Sequence, residues 1–158
     1  FNMARQYPGI NYYGTVSNDV IRQSIQNIHI LAYPNTWPET SCLVLIEAMS
    51  AGLTCVHPNY GALADTAGGM TDMYQWHEDK QRHMQTFLDK MDQVLSTFTL
   101  NDTRGSELMV EYANRRFGWN QRESQWMSLL VEMASDSTLD RSVAKSTGPM
   151  FVYAPGPR

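Results

Sequence analysis

The feature that most constrains the fold is an apolar helical segment flanked by two short runs of strand-forming residues. Residues 28–33 form the first run, which Pro34 stops, and residues 54–57 form the second. The stretch between them, residues 41–51, favours a helix and is followed by Gly52, the residue type preferred just past a helix C-terminus. Strand, helix and strand in this order predict a right-handed βαβ unit and a parallel sheet. Because the first run is so apolar, we expect it to be a central strand.

Further predicted elements extend this unit on both sides. Strands are predicted at residues 10–13 and 68–74, and helices at residues 17–26, 61–67, 78–98, 102–116 and 120–134. In the helix at 78–98, the predicted buried stripe consists of Met84, Leu88, Met91, Leu95 and Phe98. In the last helix, the residues expected to face inward are Trp126, Leu129, Leu130 and Met133. The predicted fold class is α/β, with a Rossmann-like parallel sheet and helices on both faces.

Length, charge and hydropathy limit the possible classes of protein. The 158 residues, 42% of them hydrophobic, suffice for one core, which we assign to residues 1–134. Residues 135–158 are rich in Ser, Thr, Gly and Pro, and we expect a loosely held tail. The net charge of −4 gives no electrostatic reason to bind nucleic acid. No run approaches the roughly 20 apolar residues of a membrane helix, and no signal-peptide pattern is visible, so we expect a cytoplasmic protein without a transmembrane segment.

Glu47 is the one acidic residue within the apolar segment at residues 41–51. Burying a carboxylate is costly unless the carboxylate is paired or hydrogen-bonded. One solution is a partner within the protein, such as a backbone amide or Arg22. The other is a ligand that offers two neighbouring donors, as the vicinal hydroxyls of a ribose do.

Glu39 precedes the predicted helix, and Glu47 lies eight residues later. A helix rises about 1.5 Å per residue, which puts the two carboxylates on the order of 10 Å apart. Between them lies the helix N-terminus, where the free amides of Ser41, Cys42 and Leu43 and the positive end of the helix dipole form an anion site. A carboxylate, an anion site and a second carboxylate match a sugar nucleotide, whose sugar and ribose flank a diphosphate.

This part of the chain resembles the family-4 retaining glycosyltransferases, which have the GT-B fold. The resemblance rests on residues 27–34, 37–41 and 44–52, with two glutamates separated by seven residues at its centre. It continues weakly on both sides and spans roughly residues 10–130. The resemblance implies the carboxyl-terminal, nucleotide-sugar-binding half of a GT-B enzyme, which transfers a sugar with retention and needs no metal or other cofactor.

The resemblance also implies roles for individual residues. Glu47 would bind the ribose hydroxyls, and Glu39 would contact hydroxyls of the donor sugar at the catalytic centre. The amides of Ser41, Cys42 and Leu43 would hold the distal phosphate, and the nucleobase would meet the turn at Gly14 and Thr15. Thr40 would belong to the same donor-binding site. Trp37 is a candidate for stacking on the sugar or the base, although a loop tryptophan more often fills a gap between elements.

The chain also departs from the family pattern. Many members have glycines after the first glutamate, whereas Thr40, Ser41 and Cys42 follow it here. The family's basic Arg and Lys pair and its acceptor-binding domain would precede this chain, so we expect a missing N-terminal GT-B domain and an inactive fragment in its absence. In this family that domain selects the acceptor, so the acceptor stays unknown. The same domain could also bring the protein into peripheral contact with a membrane. The alternatives are a non-catalytic α/β interaction module that kept the fold and a GT-B epimerase of sugar nucleotides.

Overall fold

The computed structural model describes residues 4–99 and 104–136. Their elements, in chain order, are a 3₁₀ turn at Ala4–Gln6, α1 at Asn18–Ile25, β1 at Ile30–Ala32, α2 at Leu43–Ser50, β2 at Thr54–Pro58, α3 at Leu63–Ala67, β3 at Asp72–Tyr74, α4 at Lys80–Thr97, α5 at Arg104–Phe117 and α6 at Trp119–Ser135. The chain divides into two units after Gly118. The first unit carries the sheet and all the candidate site residues.

The three strands form one parallel sheet in the order β1, β2, β3, which confirms the α/β class. Consecutive side chains of β2 point to opposite faces of the sheet and enter two separate cores. Cys55 packs with residues of α2, α3 and α5, whereas Val56 packs with Val94 of α4. Helices therefore cover both faces of the sheet. Within the described residues β1 pairs with β2 alone, so the predicted central strand is an edge strand. The predicted strand at residues 10–13 is absent, which leaves β1 without a second partner.

Helix α2 ends as its sequence predicts and begins two residues later than expected. At its end Gly52, with φ of 79°, donates its amide to the carbonyl of Met49 at 3.1 Å, and the amide of Leu53 reaches Ala48 O at 3.0 Å. This pair of bonds satisfies carbonyls that the last turn leaves free. At its start Cys42 has extended geometry and occupies the N-cap position. The predicted helical start at Ser41 therefore lies outside the helix.

The buried stripe of α4 differs from the predicted one by a rotation of about one residue. His83 and Val94 are buried and Phe87 is half-buried, whereas the predicted core residues Met84, Leu88 and Leu95 are exposed. The cause is a polar residue in the core position of the first turn, since Nε2 of His83 lies 3.2 Å from the hydroxyl of Tyr74 on β3. A search for apolar periodicity alone passes over such a histidine.

The remaining helices occur where they are predicted, with one difference in burial. The start of the helix predicted at 102–116 and nearly all of the tail predicted at 135–158 lie outside the described residues. In α6 the four residues expected to face inward, Trp126, Leu129, Leu130 and Met133, are exposed. No helix in the described part of the chain is both long and apolar enough to cross a membrane.

Candidate functional site

The candidate site lies where the loops after β1 and β2 meet. The amide of Tyr33, the first residue past β1, donates to the carbonyl of Val56 at 2.9 Å and extends the pairing of the two strands. The loop after β1 leads through Glu39 to α2, and the loop after β2 leads to α3. The amide of Ala62 donates to the carbonyl oxygen of Glu39 at 2.8 Å, so the two loops are joined at Glu39. The carboxyl ends of parallel strands are where open α/β sheets bind ligands.

Gly61 permits this contact between the loops. Its φ of 57° lies in the left-handed region, and a Cβ at this position would lie 2.7 Å from both the backbone nitrogen and the carbonyl oxygen of Glu39. Real Cβ atoms do not approach backbone atoms so closely. The backbone position of Glu39 therefore depends on a glycine in the following loop.

The carboxylate of Glu39 is half-buried and hydrogen-bonded to its own chain. The hydroxyl of Tyr33 donates to Oε1 of Glu39 at 2.8 Å. Burial, and then the hydrogen bond to Glu39, raise the pKa of the Tyr33 phenol above its ordinary value. The phenol accordingly stays protonated, and it remains a donor to the carboxylate throughout the physiological pH range.

Glu47 lies in the middle of α2, between the buried residues Leu45 and Ala48. Its side chain is half-buried, and no residue in the described part of the chain donates a hydrogen bond to its carboxylate or pairs with it. The internal partners considered from the sequence are therefore not seen, and Arg22 on α1 is exposed.

The N-terminus of α2 offers unpaired amides next to Glu39. The first hydrogen bond of the helix runs from the amide of Ile46 to the carbonyl of Cys42 at 3.1 Å. None of the amides of Ser41, Cys42 and Leu43 donates to another residue within the ranges 4–99 and 104–136. The side chain of Leu43 is 72% exposed, which leaves this end of the helix open to solvent in the first unit. Thr40 and Ser41 are exposed as well.

Cys42 contributes a neutral, buried thiol beneath this helix end. Burial raises the pKa of the thiol, the amide of Leu45 acts in the opposite direction, and the carboxylate of Glu39 raises the pKa again. The net direction is upward, which disfavours the thiolate that a cysteine nucleophile requires. The residue therefore serves as a small side chain in the core of α2.

Trp37 does not fill a gap between elements, because its side chain is 71% exposed. Its backbone is held by Asn35, whose Oδ1 accepts from the Trp37 amide at 2.8 Å and whose Nδ2 donates to the Trp37 carbonyl at 2.7 Å. The indole thus projects from a fixed turn two residues before Glu39. The exposed indole therefore stays a candidate for stacking on a ligand.

Gly14 and Thr15 are not placed at the end of a strand. They lie in the irregular segment before α1, where Gly14 has a φ of 69° and both residues are exposed. No hydrogen bond joins either residue to Glu39 or Glu47 in the described parts of the chain. Among the described residues, no hydrogen bond connects the predicted nucleobase turn to the segment from Trp37 to Glu47.

Sequence reasoning missed a second contact between loops at this edge. The rings of Tyr60 and Trp76, which follow β2 and β3, are stacked with centroids 4.2 Å apart. Asn59 links the same loops, because its Oδ1 accepts from the amide of Trp76 at 2.8 Å and its Nδ2 donates to Oε1 of Gln75 at 3.0 Å. An asparagine and an aromatic residue placed just after consecutive strands were the available signal. Together these contacts fix the loop that carries Gly61.

Two further features lie away from these residues. His57 on β2 is fully buried, with Nδ1 donating to the carbonyl of Pro58 at 3.0 Å and Nε2 accepting from the hydroxyl of Thr71 at 2.7 Å, so its role is structural. A cavity of about 410 Å³ opens at the amino ends of the strands, near His29, Thr54 and Asp72. The cavity therefore lies at the opposite ends of the strands from the candidate site, and neither Glu39 nor Glu47 lines it.

Comparison of the chain with models of protein families, with curated proteins and with solved structures gives no match.

Proposed function

We propose that this chain is the donor-binding half of a retaining GT-B glycosyltransferase, which transfers a sugar from a nucleotide diphosphate sugar to an acceptor. The observation that carries the proposal is the carboxylate of Glu47, which is half-buried in an apolar helix and has no partner in the described part of the chain. In the free protein its carboxylate is left to water, because no residue in the described part of the chain donates to it. The two hydroxyls of a ribose would supply the missing donors at adjacent positions.

The end of α2 suits the diphosphate of such a ligand. Unpaired amides at Ser41, Cys42 and Leu43 and the positive end of the helix dipole attract an anion. Negative charge grows on the leaving diphosphate as the glycosidic bond breaks, so fixed donors aimed at it lower the barrier. One helix terminus contributes only about 0.3 to 1 kcal/mol when exposed and up to about 2 when partly buried. The rest of the diphosphate charge would therefore need cationic side chains beyond this helix end.

Glu39 is the catalytic-site residue of the proposal, as the group that contacts hydroxyls of the transferred sugar. Its position beside the helix end supports this role, because the sugar is bonded to the phosphate that the amides would hold. Trp37 is exposed two residues before Glu39 and offers a flat apolar surface for the sugar or the base. No step of this proposal uses the thiol of Cys42.

The proposal is tested by measuring nucleotide affinity of the full-length protein. Glu47→Ala should weaken binding of UDP or GDP, whichever binds the wild type, by about tenfold to a hundredfold, as expected for the loss of hydrogen bonds to a charged group. Glu123→Ala, at an exposed glutamate of α6, is the matched control and should bind like the wild type. Equal affinities for wild type and Glu47→Ala, measured by calorimetry, would remove the ribose role and with it the proposal.

Product analysis separates the remaining possibilities. Transfer with retention leaves the anomeric configuration of the donor unchanged in the product, which nuclear magnetic resonance detects. Release of an isomerised free sugar would instead indicate an epimerase. Failure of the full-length wild-type protein to bind any nucleoside diphosphate would indicate an interaction module.

A further inference from the structure

Tyr33 is fixed by the sheet and reaches into the candidate site. It directly follows β1, and its amide is hydrogen-bonded to Val56 of the neighbouring strand. Its side chain is half-buried, and its hydroxyl donates to Oε1 of Glu39 at 2.8 Å. A tyrosine side chain has only two torsions that place its ring, so a tyrosine whose amide is hydrogen-bonded to a strand is a stiff support for a hydrogen bond.

Glu39 is held at its backbone as well as at its carboxylate. The amide of Ala62 bonds to its carbonyl oxygen, and Gly61 packs directly against its peptide. A free glutamate side chain samples several rotamers, and ordering it costs conformational entropy. Because contacts hold both the backbone and the carboxylate of Glu39, the side chain is ordered when the protein folds and not when a ligand binds. The same preorganisation is what a site needs to hold a reacting group in one geometry.

We infer that Tyr33 is a positioning residue, which orients the carboxylate of Glu39 so that Oε2 faces a hydroxyl of the donor sugar. This inference rests on the proposed function and deepens it, because it explains how the carboxylate is aimed. One lone pair of Oε1 accepts from the phenol, and the other carboxylate oxygen keeps its full capacity to accept. The inference requires that Tyr33 affect recognition of the sugar and leave recognition of the nucleoside diphosphate alone.

Tyr33→Phe is the direct test, since it removes the hydroxyl and keeps the ring. Tyr60→Phe is the matched control, because Tyr60 lies at the same edge and contributes its ring face to the stack with Trp76. The measured quantity is the ratio of two dissociation constants in the full-length protein, that of the nucleoside diphosphate and that of its nucleotide sugar. The probes are UDP with UDP-glucose and UDP-N-acetylglucosamine, and GDP with GDP-mannose.

In the wild type we expect at least one nucleotide sugar to bind more tightly than its nucleoside diphosphate. Tyr33→Phe should reduce that advantage by about five- to tenfold, because the cost of ordering the Glu39 side chain would then fall on ligand binding, and should leave the nucleoside diphosphate affinity unchanged. With a turned-over donor, kcat/KM should fall by a similar factor. Tyr60→Phe should change neither quantity. A merely structural role of Tyr33 would weaken both ligands together.

The outcomes distinguish this inference from the proposed function. If Glu47→Ala weakens nucleotide binding while Tyr33→Phe keeps the full sugar advantage, only the positioning role is overturned. Failure of all three nucleotide sugars to bind a wild type that binds the nucleoside diphosphate would overturn it too, because the donor sugar would then have no site beside Glu39. If Glu47→Ala leaves nucleotide binding unchanged, the proposed function itself fails.

Discussion

Gly61 lies against the peptide of Glu39 so closely that a Cβ at position 61 would stand 2.7 Å from the backbone nitrogen of Glu39. The amide that follows, that of Ala62, donates to the carbonyl of the same glutamate. The loops after two neighbouring strands thus meet through backbone atoms alone. A residue distant in the sequence determines where the candidate catalytic carboxylate is held.

Gly61→Ala should therefore destabilise the protein strongly. An alanine with left-handed φ costs about 1 to 2 kcal/mol, and the clash with the backbone of Glu39 adds about 1 to 3 kcal/mol. Gly69→Ala is the matched control, because Gly69 has a φ of 78° and a methyl group there would meet no atom within 4 Å, so only the first cost applies. Unfolding in urea gives the stability of both variants. If Gly61→Ala lost no more stability than Gly69→Ala, the loops after β1 and β2 would be able to separate at position 61 without a cost in free energy.

Leu45→Ala should cost about 2 to 5 kcal/mol of stability, because Leu45 is fully buried in the core between α2 and the sheet. The same substitution at Leu43, two residues earlier in the helix and 72% exposed, should change stability by no more than about 0.5 kcal/mol. Leu43→Ala also keeps the backbone amide that we assign to the phosphate. Similar losses at the two positions would contradict the orientation of α2 described above.

Protonation of His57 should make stability depend on pH. Burial lowers the pKa of His57, against the opposing effects of the Pro58 carbonyl and Asp72. The unfolded state, with a pKa of about 6.5, then binds a proton more readily than the folded state. The contribution of neutral His57 to the free energy of unfolding is complete above about pH 6.5. It is lost as the pH falls from there towards the folded pKa, by at most about 1.4 kcal/mol per pH unit.

His57→Gln should flatten this pH dependence, because glutamine does not titrate. The measurement is the free energy of unfolding in urea between about pH 7.5 and 5.5, compared for wild type and variant. The slopes are compared and not the absolute values, since the substitution also alters packing. Parallel curves for the two proteins would rule out His57 as the source.

Both cysteines should resist alkylation in the folded protein. Cys55 is 1% exposed, and burial, assisted by Asp72, raises its pKa to about 12. Cys42 is 3% exposed and its pKa is also raised by burial. At about pH 8 we expect iodoacetamide to label peptides containing either residue at least about a hundredfold more slowly in the native protein than in urea. Rapid native labelling of Cys42 would show that the end of α2 opens.

Local sequence signals predicted the elements around the candidate site well. The proline after residues 28–33 and Gly52 after the helix act within one or two residues, and both mark ends seen in the structure. Long-range signals were weaker. The apolar pattern of residues 28–33 predicted a central strand, yet among the described residues β1 pairs with β2 alone. Apolar side chains indicate that a strand is covered by some neighbour, and they do not indicate that this neighbour is another strand. Likewise, His83 occupies a core position of α4 that apolar periodicity assigned to Met84.

The sequence by itself determined the α/β class, the helix between β1 and β2, and the spacing of Glu39 and Glu47, because each depends on residues adjacent in the chain. The tertiary structure decided that Tyr33 holds the carboxylate of Glu39, that Gly61 and Ala62 hold its backbone, and that no described residue pairs with Glu47. Those relationships join loops after different strands. Only the register of β1 against β2 brings such loops together, and no local pattern of residues encodes the distance between them.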